Sequence, residues 1–92
     1  MGYLVELKHY RPTYRKGDLE DELVIESTRT FKTRKDAKDF IEKQFPKNKH
    51  GYKDYHKGNQ PSYCKYWTGK TWIHENTGEK CEEYYMFVLT KV

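Results

Sequence analysis

Within Tyr52–Trp72, "YKDYHKGNQPSYCKYWTGKTW", Lys53, Lys57, Lys65 and Lys70 are interleaved with Tyr52, Tyr55, Tyr63 and Tyr66, and Trp67 and Trp72 join them against a single acid, Asp54. Ammonium groups neutralise phosphates and release condensed counterions, while aromatic rings stack on unpaired bases at ~1–3 kcal/mol each. Those four lysines and four tyrosines are therefore the candidate contacts to DNA or RNA. The same composition also suits a loop that returns its rings to a small core while its lysines stay in water.

Other chemistry finds weaker footing in the residue spacing. His56, Cys64, His74 and Cys81 are zinc-ligand types, but no C-x-x-C or H-x-x-x-H knuckle joins them, so no metal is expected. The run "HGYKDYHKGN", His50 to Asn59, lacks the carboxylate pair that a histidine-based metal nuclease loop would need. A cysteine and a histidine somewhere in the chain are residue types, not a nucleophile–base spacing. With no glycine-rich phosphate loop, no G-x-S-x-G and no H-E-x-x-H, neither a cofactor nor a catalytic residue is expected, and the chain reads as a non-enzyme. His74 and Glu75 read as exposed polar groups beside a turn.

The elements that must carry these residues are few. Ninety-two residues make a single domain, 1–92, with room for one small core. A mean hydropathy of −1.18 would suit disorder, but 16% aromatic residues in clustered runs indicate a fold whose core is built from rings. The net charge of +4 favours an anionic partner, and the excess lies in residues 35–60, with seven basic groups against four acidic. Acids gather separately in "GDLEDE", Gly17 to Glu22. No run approaches the roughly 18 apolar residues of a membrane span, so no membrane contact is expected and the location is read as cytoplasmic. There, Cys64 and Cys81 should be free thiols.

Tyr3, Val5 and Leu7 alternate with Glu6 and Lys8 at strand period, giving a first strand over 3–10. A loop of about ten residues, "RPTYRKGDLEDE", leads to a second strand, "LVIESTRTFK", with Leu23, Ile25 and Phe31 expected on one face. In "TRKDAKDFIEKQFPKNKHG", Thr33 and Asp36 stand in capping-box relation ahead of a helical stripe of Ala37, Phe40, Ile41 and Phe45, and Pro46 closes the helix. Residues 46–62 read as a long basic loop. "SYCKYWTGKTWIHE" and "KCEEYYMFVLTKV" then form a hairpin around "NTGE".

The strand–"FKTRKDAKDF"–helix joint resembles the Phe-x-Thr-x-x-Asp/Glu-Ala-x-x-Phe junction of sporulation-related repeat domains and of the arm-type DNA-binding domains of phage integrases. The resemblance spans about residues 22–45. A second hairpin follows the helix here, where the integrase domain ends, and no functional residue is carried over from it.

The expected fold is thus α+β: a four-stranded, mainly antiparallel sheet of β-β-α-β-β connectivity and order 2-1-4-3, with one helix on one face. The last strand is apolar on both sides, with Tyr85, Phe87 and Leu89 on one and Tyr84, Met86 and Val88 on the other. Such a strand should be central and covered twice. One helix covers one face, so the 46–62 loop, a second copy or another partner must cover the other. The expected function is a small binding protein contacting nucleic acid through residues 47–72, in the manner of a phage or mobile-element accessory protein. The alternative is a protein-interaction module, a homodimer or an inhibitor or adaptor of a host protein, that uses Tyr84, Met86 and Val88.

Overall fold

The computed structural model describes residues 2–15, 18–73 and 78–92, with side chains described except at 11–15, 18–23, Trp72 and Cys81. The chain runs β1 (Tyr3–Arg15), β2 (Asp18–Phe31), α1 (Arg34–Gln44), β3 (Gly51–Asp54), β4 (Ser62–Ile73) and β5 (Lys80–Lys91). The fold is α+β, with one helix on an antiparallel sheet. That sheet has five strands in the order β2-β1-β5-β4-β3, not four. The two expected hairpins do join through the first and last strands, and the correction is the short edge strand β3, inside what reads as the 46–62 loop. All four β3 residues are exposed, so no apolar alternation marks them as a strand. β3 is defined by backbone pairing alone, from Gly51 opposite Tyr66 to Asp54 opposite Tyr63.

A second correction concerns the first hairpin. β1 and β2 stay paired as far as Arg15 opposite Asp18, so most of the expected ten-residue loop is strand. Pro12 is tolerated because β1 pairs with β5 only from Tyr3 to Tyr10, which leaves β1 a sheet edge beyond that point. A bulge between Leu7 and Lys8 gives β2 one extra residue, Glu26, and reverses its alternation. Ser27 lies opposite Leu7 but Ile25 lies opposite Lys8, so Ile25 and Phe31 occupy opposite faces rather than sharing one. The side chain of Leu23, expected beside them, is outside the described set, as are His74, Glu75, much of the expected "NTGE" turn, and the side chains of Trp72 and Cys81.

Helix α1 forms where the sequence places it. The Thr33 hydroxyl oxygen accepts from the Asp36 N–H at 3.2 Å, and Phe45 closes the helix ahead of Pro46 by donating its N–H to the Ile41 carbonyl at 2.8 Å. Ala37 and Ile41 are fully buried against Val5, Cys64, Phe87 and Leu89, with Tyr3, Leu7, Phe31, Phe40 and Phe45 closing round them. Arg34 ties the helix to the β3–β4 loop by donating to the His56 carbonyl at 2.8 Å. No described helix is long and apolar enough to cross a membrane.

Cys64 is a buried free thiol. It sits opposite Phe87, six residues along β5 from Cys81, which at strand rise separates the two cysteines by roughly 20 Å, far beyond the ~7 Å limit of a disulfide. Burial also pushes the Cys64 thiol above its ordinary value.

Candidate functional site

Side chains paired across neighbouring strands share a face, so the register sorts the candidates that have a partner across the sheet. On the helix side, Lys53 lies opposite Cys64 and Gly51 opposite Tyr66. On the far side, one row runs Thr28, Glu6, Val88, Tyr63, Asp54 across β2, β1, β5, β4 and β3. The next row runs Ile25, Lys8, Met86, Lys65, Tyr52 in the same strand order. A third places Tyr10, Tyr84 and Trp67 side by side, with His50 beyond them.

This register divides the eight candidate nucleic-acid residues. Lys53, Tyr55 and Tyr66 turn to the helix and are engaged there. Lys53 donates to Glu42 at 2.5 Å and lies 4.8 Å from the Phe45 ring centroid, and the Tyr55 hydroxyl donates to the other Glu42 oxygen at 2.8 Å. The hydrogen bond from Lys53, and then that from Tyr55, hold the Glu42 carboxyl below its usual range. Burial first, then the bond to Glu42, push the Tyr55 phenol far above its ordinary value. Tyr66 is half-buried, stacked on Tyr85 at 5.4 Å and met edge-on by Phe45. Tyr52, Tyr63 and Lys65 face the other way. Lys57 is exposed on the β3–β4 loop, and Lys70 lies on β4 near Glu83 at 4.0 Å.

The far face is where the two sets of candidates meet. Tyr84, Met86 and Val88 of the last strand occupy its centre, flanked by Tyr63 and Lys65 on one side and Glu6 and Lys8 on the other. Tyr10 stacks on Tyr84 at 4.6 Å and 15°, and Tyr52 and His50 approach Trp67 at 6.1 and 5.2 Å. The Lys65 ammonium lies 4.6 Å from the Trp67 ring and 3.8 Å from that of Tyr84, a position that shields a cation with ring quadrupoles. The result is a belt of rings across four strands. The 46–62 segment meets this belt only at its β4 side, through His50 and Tyr52 on Trp67, because β3 extends the sheet sideways, Tyr55 turns to the helix and the His56 ring pairs with Asp54 at 3.3 Å.

A second constellation had no signal in the spacing. On the helix side, where the β1–β5 ladder ends, His9 Nε2 lies 2.5 Å from Glu83 Oε1 and Nδ1 lies 3.1 Å from Glu26 Oε1, while the ring stacks on Tyr85 at 4.1 Å and 5°. Each ring nitrogen thus lies within hydrogen-bond reach of a carboxylate. Two bulges build the group. The β2 bulge supplies Glu26, and an irregularity in β4 between Trp67 and Thr71, with Gly69 at φ 91°, brings the Thr68 hydroxyl to Glu83 at 2.9 Å. Burial alone would raise the Glu83 carboxyl, but hydrogen bonds from Thr68 and His9 outweigh it and hold the group below its usual range. With both ring nitrogens occupied by carboxylates, His9 acts as a clasp between the two hairpins, since β1 carries His9, β2 Glu26 and β5 Glu83.

Residues 74 positions apart in sequence meet here through two bulges, and no local pattern announces that. Comparison of the chain with protein families, with curated proteins and with solved structures found no match.

Proposed function

We propose that this chain is a non-enzymatic, cytoplasmic protein-binding module that docks through the open face of its sheet. The observation that carries the reading is the continuous belt of Tyr10, Tyr84, Trp67 and Tyr52 beside the half-buried Met86, on the side opposite the helix, with Val88 itself buried. Tyrosine, tryptophan and methionine are enriched in the buried centres of protein interfaces, and the two aromatic types cover large areas at low conformational-entropy cost.

The charge on that face favours protein over nucleic acid. Lys8 and Lys65 share it with Glu6 and Asp54, so it offers no net cationic track for a phosphate chain. Lys53, one of the four lysines that would supply such a track, is paired with Glu42 on the other side. Of the four tyrosines that would stack on bases, Tyr55 and Tyr66 are engaged on the helix side. The nucleic-acid reading retains Lys57, Lys70, Tyr52 and Tyr63, whose exposure suits backbone and base contacts.

The test is a photoactivatable benzophenone side chain placed at Tyr63 on the open face, with the same group at Lys57 on the loop as comparison. Protein adducts from position 63 and none from position 57 are expected. Binding of a single-stranded oligonucleotide at ~50 mM salt, weakening with a log–log slope near −0.7 per phosphate, would replace this reading with the nucleic-acid one.

A further inference from the structure

We infer that the occupant of the open face is a second copy of this chain, docked about a two-fold axis that lies in the plane between the sheets and runs across the strands. The inference rests on the docking-face reading above and adds its partner and its geometry. The observation behind it is that the two central rows of the face are complementary to each other. A two-fold axis midway between them sets Glu6 of one copy against Lys8 of the other, Val88 against Met86, Tyr63 against Lys65 and Asp54 against Tyr52. At β1 and β5 the pairings match in kind, an ion pair and an apolar contact in which Met86 meets the buried Val88; Tyr63 against Lys65 sets a ring against a cation, Asp54 meets Tyr52 while its carboxylate also lies 3.3 Å from His56 Nε2, and Thr28 falls against Ile25 without complementarity. Each pairing occurs twice, as an isologous interface requires.

The other in-plane two-fold, running along β5, fails the same test. It exchanges β1 with β4 row by row and brings Lys8 against Lys65, two ammonium groups with no acid between them. Charge pattern thus favours the first of these two axes over the second. Packed sheets also cross at about −30°, which displaces the outermost strands β2 and β3 more than β5 and its neighbours β1 and β4, so the contacts of those three central strands are the ones that must survive.

Size and net charge allow the pairing. Four interstrand spacings by the eight-residue β1–β5 ladder cover roughly 20 by 26 Å, so a face-to-face pair would bury on the order of 1,000–1,200 Å² in total, the lower bound for a specific interface. The excess of cations in residues 35–60 belongs to the helix, the β3 edge and its loops, so the net charge of +4 is not concentrated between the copies.

Sedimentation velocity on the full chain should show a species of twice the 11.2 kDa chain mass, in concentration-dependent exchange with monomer. Glu6→Lys and Lys8→Glu should each raise the dimer dissociation constant about tenfold or more, because each replaces two attractions by two repulsions, and the double variant should recover the wild-type value. A second measurement needs no variant. Zero-length carbodiimide coupling of mixed light and ¹⁵N-labelled wild-type chains should join Glu6 of one isotopic form to Lys8 of the other.

A strictly monomeric wild type, or a dimer indifferent to both single charge reversals and giving no mixed-isotope Glu6–Lys8 product, overturns the inference. If the wild type is monomeric while position 63 still forms adducts with another protein, only the identity of the partner fails. If position 63 forms no adduct with any protein, this chain included, the docking-face reading fails with it.

Discussion

Gly51 decides whether the fifth strand exists, and replacing it tests the architecture directly. A Cβ built on Gly51 would lie 2.2 Å from the Lys65 carbonyl oxygen, 2.8 Å from Tyr66 Cα and 2.9 Å from Tyr66 Cβ. Real Cβ contacts do not fall below 3.0 Å, and the nearest atoms are backbone, so no side chain can swing away. Either β4 yields inside the sheet, which would disturb Cys64 and Phe87 beneath it, or β3 leaves. Overpacking of a well-formed site costs about 1–3 kcal/mol. Detachment of β3 costs the few backbone bonds of a four-residue pairing and the 2.8 Å bond from the Trp67 N–H to the His50 carbonyl, at about 0.5–1.5 kcal/mol net each.

Overpacking of that size presumes side chains that can shift, and here the clash is with backbone, so detachment is the expected response; because β3 buries no side chain of its own, its loss caps the penalty. Gly51→Ala should therefore lose roughly 2–3 kcal/mol, equivalent to a melting shift of about 10–20 °C for a domain of this size. Gly51→Val should lose no more than Ala, since a strand that has left cannot be pushed further. Urea unfolding would give the midpoints, and amide exchange at Trp67 should accelerate in both variants while exchange in β1 and β5 stays slow. If exchange at Trp67 is unchanged, or if Val costs several kcal/mol more than Ala, β3 is not the detachable edge described above.

At high pH the domain should weaken. The phenols of Tyr55 and Tyr66 and the thiol of Cys64 all titrate above their ordinary values in the fold, in each case chiefly through burial, so their contribution is complete below the unfolded values and is lost as pH rises past about 9–10. Urea midpoints between pH 8 and pH 11 should fall, and Tyr55→Phe should flatten the fall. In acid the sign reverses: Glu83 and Glu42 lie below their ordinary range, so the stability they add is present above about pH 4.3 and disappears as pH falls through their folded values, an effect that Glu83→Gln should reduce. Phe87→Ala should cost about 3–5 kcal/mol by thermal or chemical unfolding, because Phe87 is 2% exposed at the centre of the core. Phe40→Ala should cost less, since Phe40 is only half-buried and has the Arg29 guanidinium 5.0 Å from its ring. A thiol reagent should modify Cys64 only at the rate at which the domain opens, and equal reactivity in native and denatured protein would contradict its burial.

Local chemistry determined the helix and the central strands before any tertiary contact. A hydroxyl at Thr33, apolar residues at helical spacing from Ala37 to Phe45 and a proline at 46 fix α1 almost to the residue, because caps and prolines act within one turn. The double-sided apolar run from Tyr84 to Leu89 required a central strand, and β5 is central because only there can both its faces meet other side chains. Three things were decided by the tertiary structure. β3 depends on a backbone approach that only Gly51 permits, and its exposed residues carry no period-two signal. The bulge at Glu26 reverses the alternation of β2, and a one-residue shift moves side chains to the other face without altering composition. The division of the Tyr52–Trp72 stretch is likewise a matter of register: Lys53 and Tyr66 fall under the helix and Tyr52 and Lys65 on the open face, because successive residues of a strand point to opposite sides. A dense run of lysine and tyrosine in sequence is therefore two half-populated surfaces in the fold, and the ring belt that unites Tyr52 and Trp67 with Tyr84 and Tyr10 draws on residues up to 74 positions apart, brought together only when the two hairpins pair.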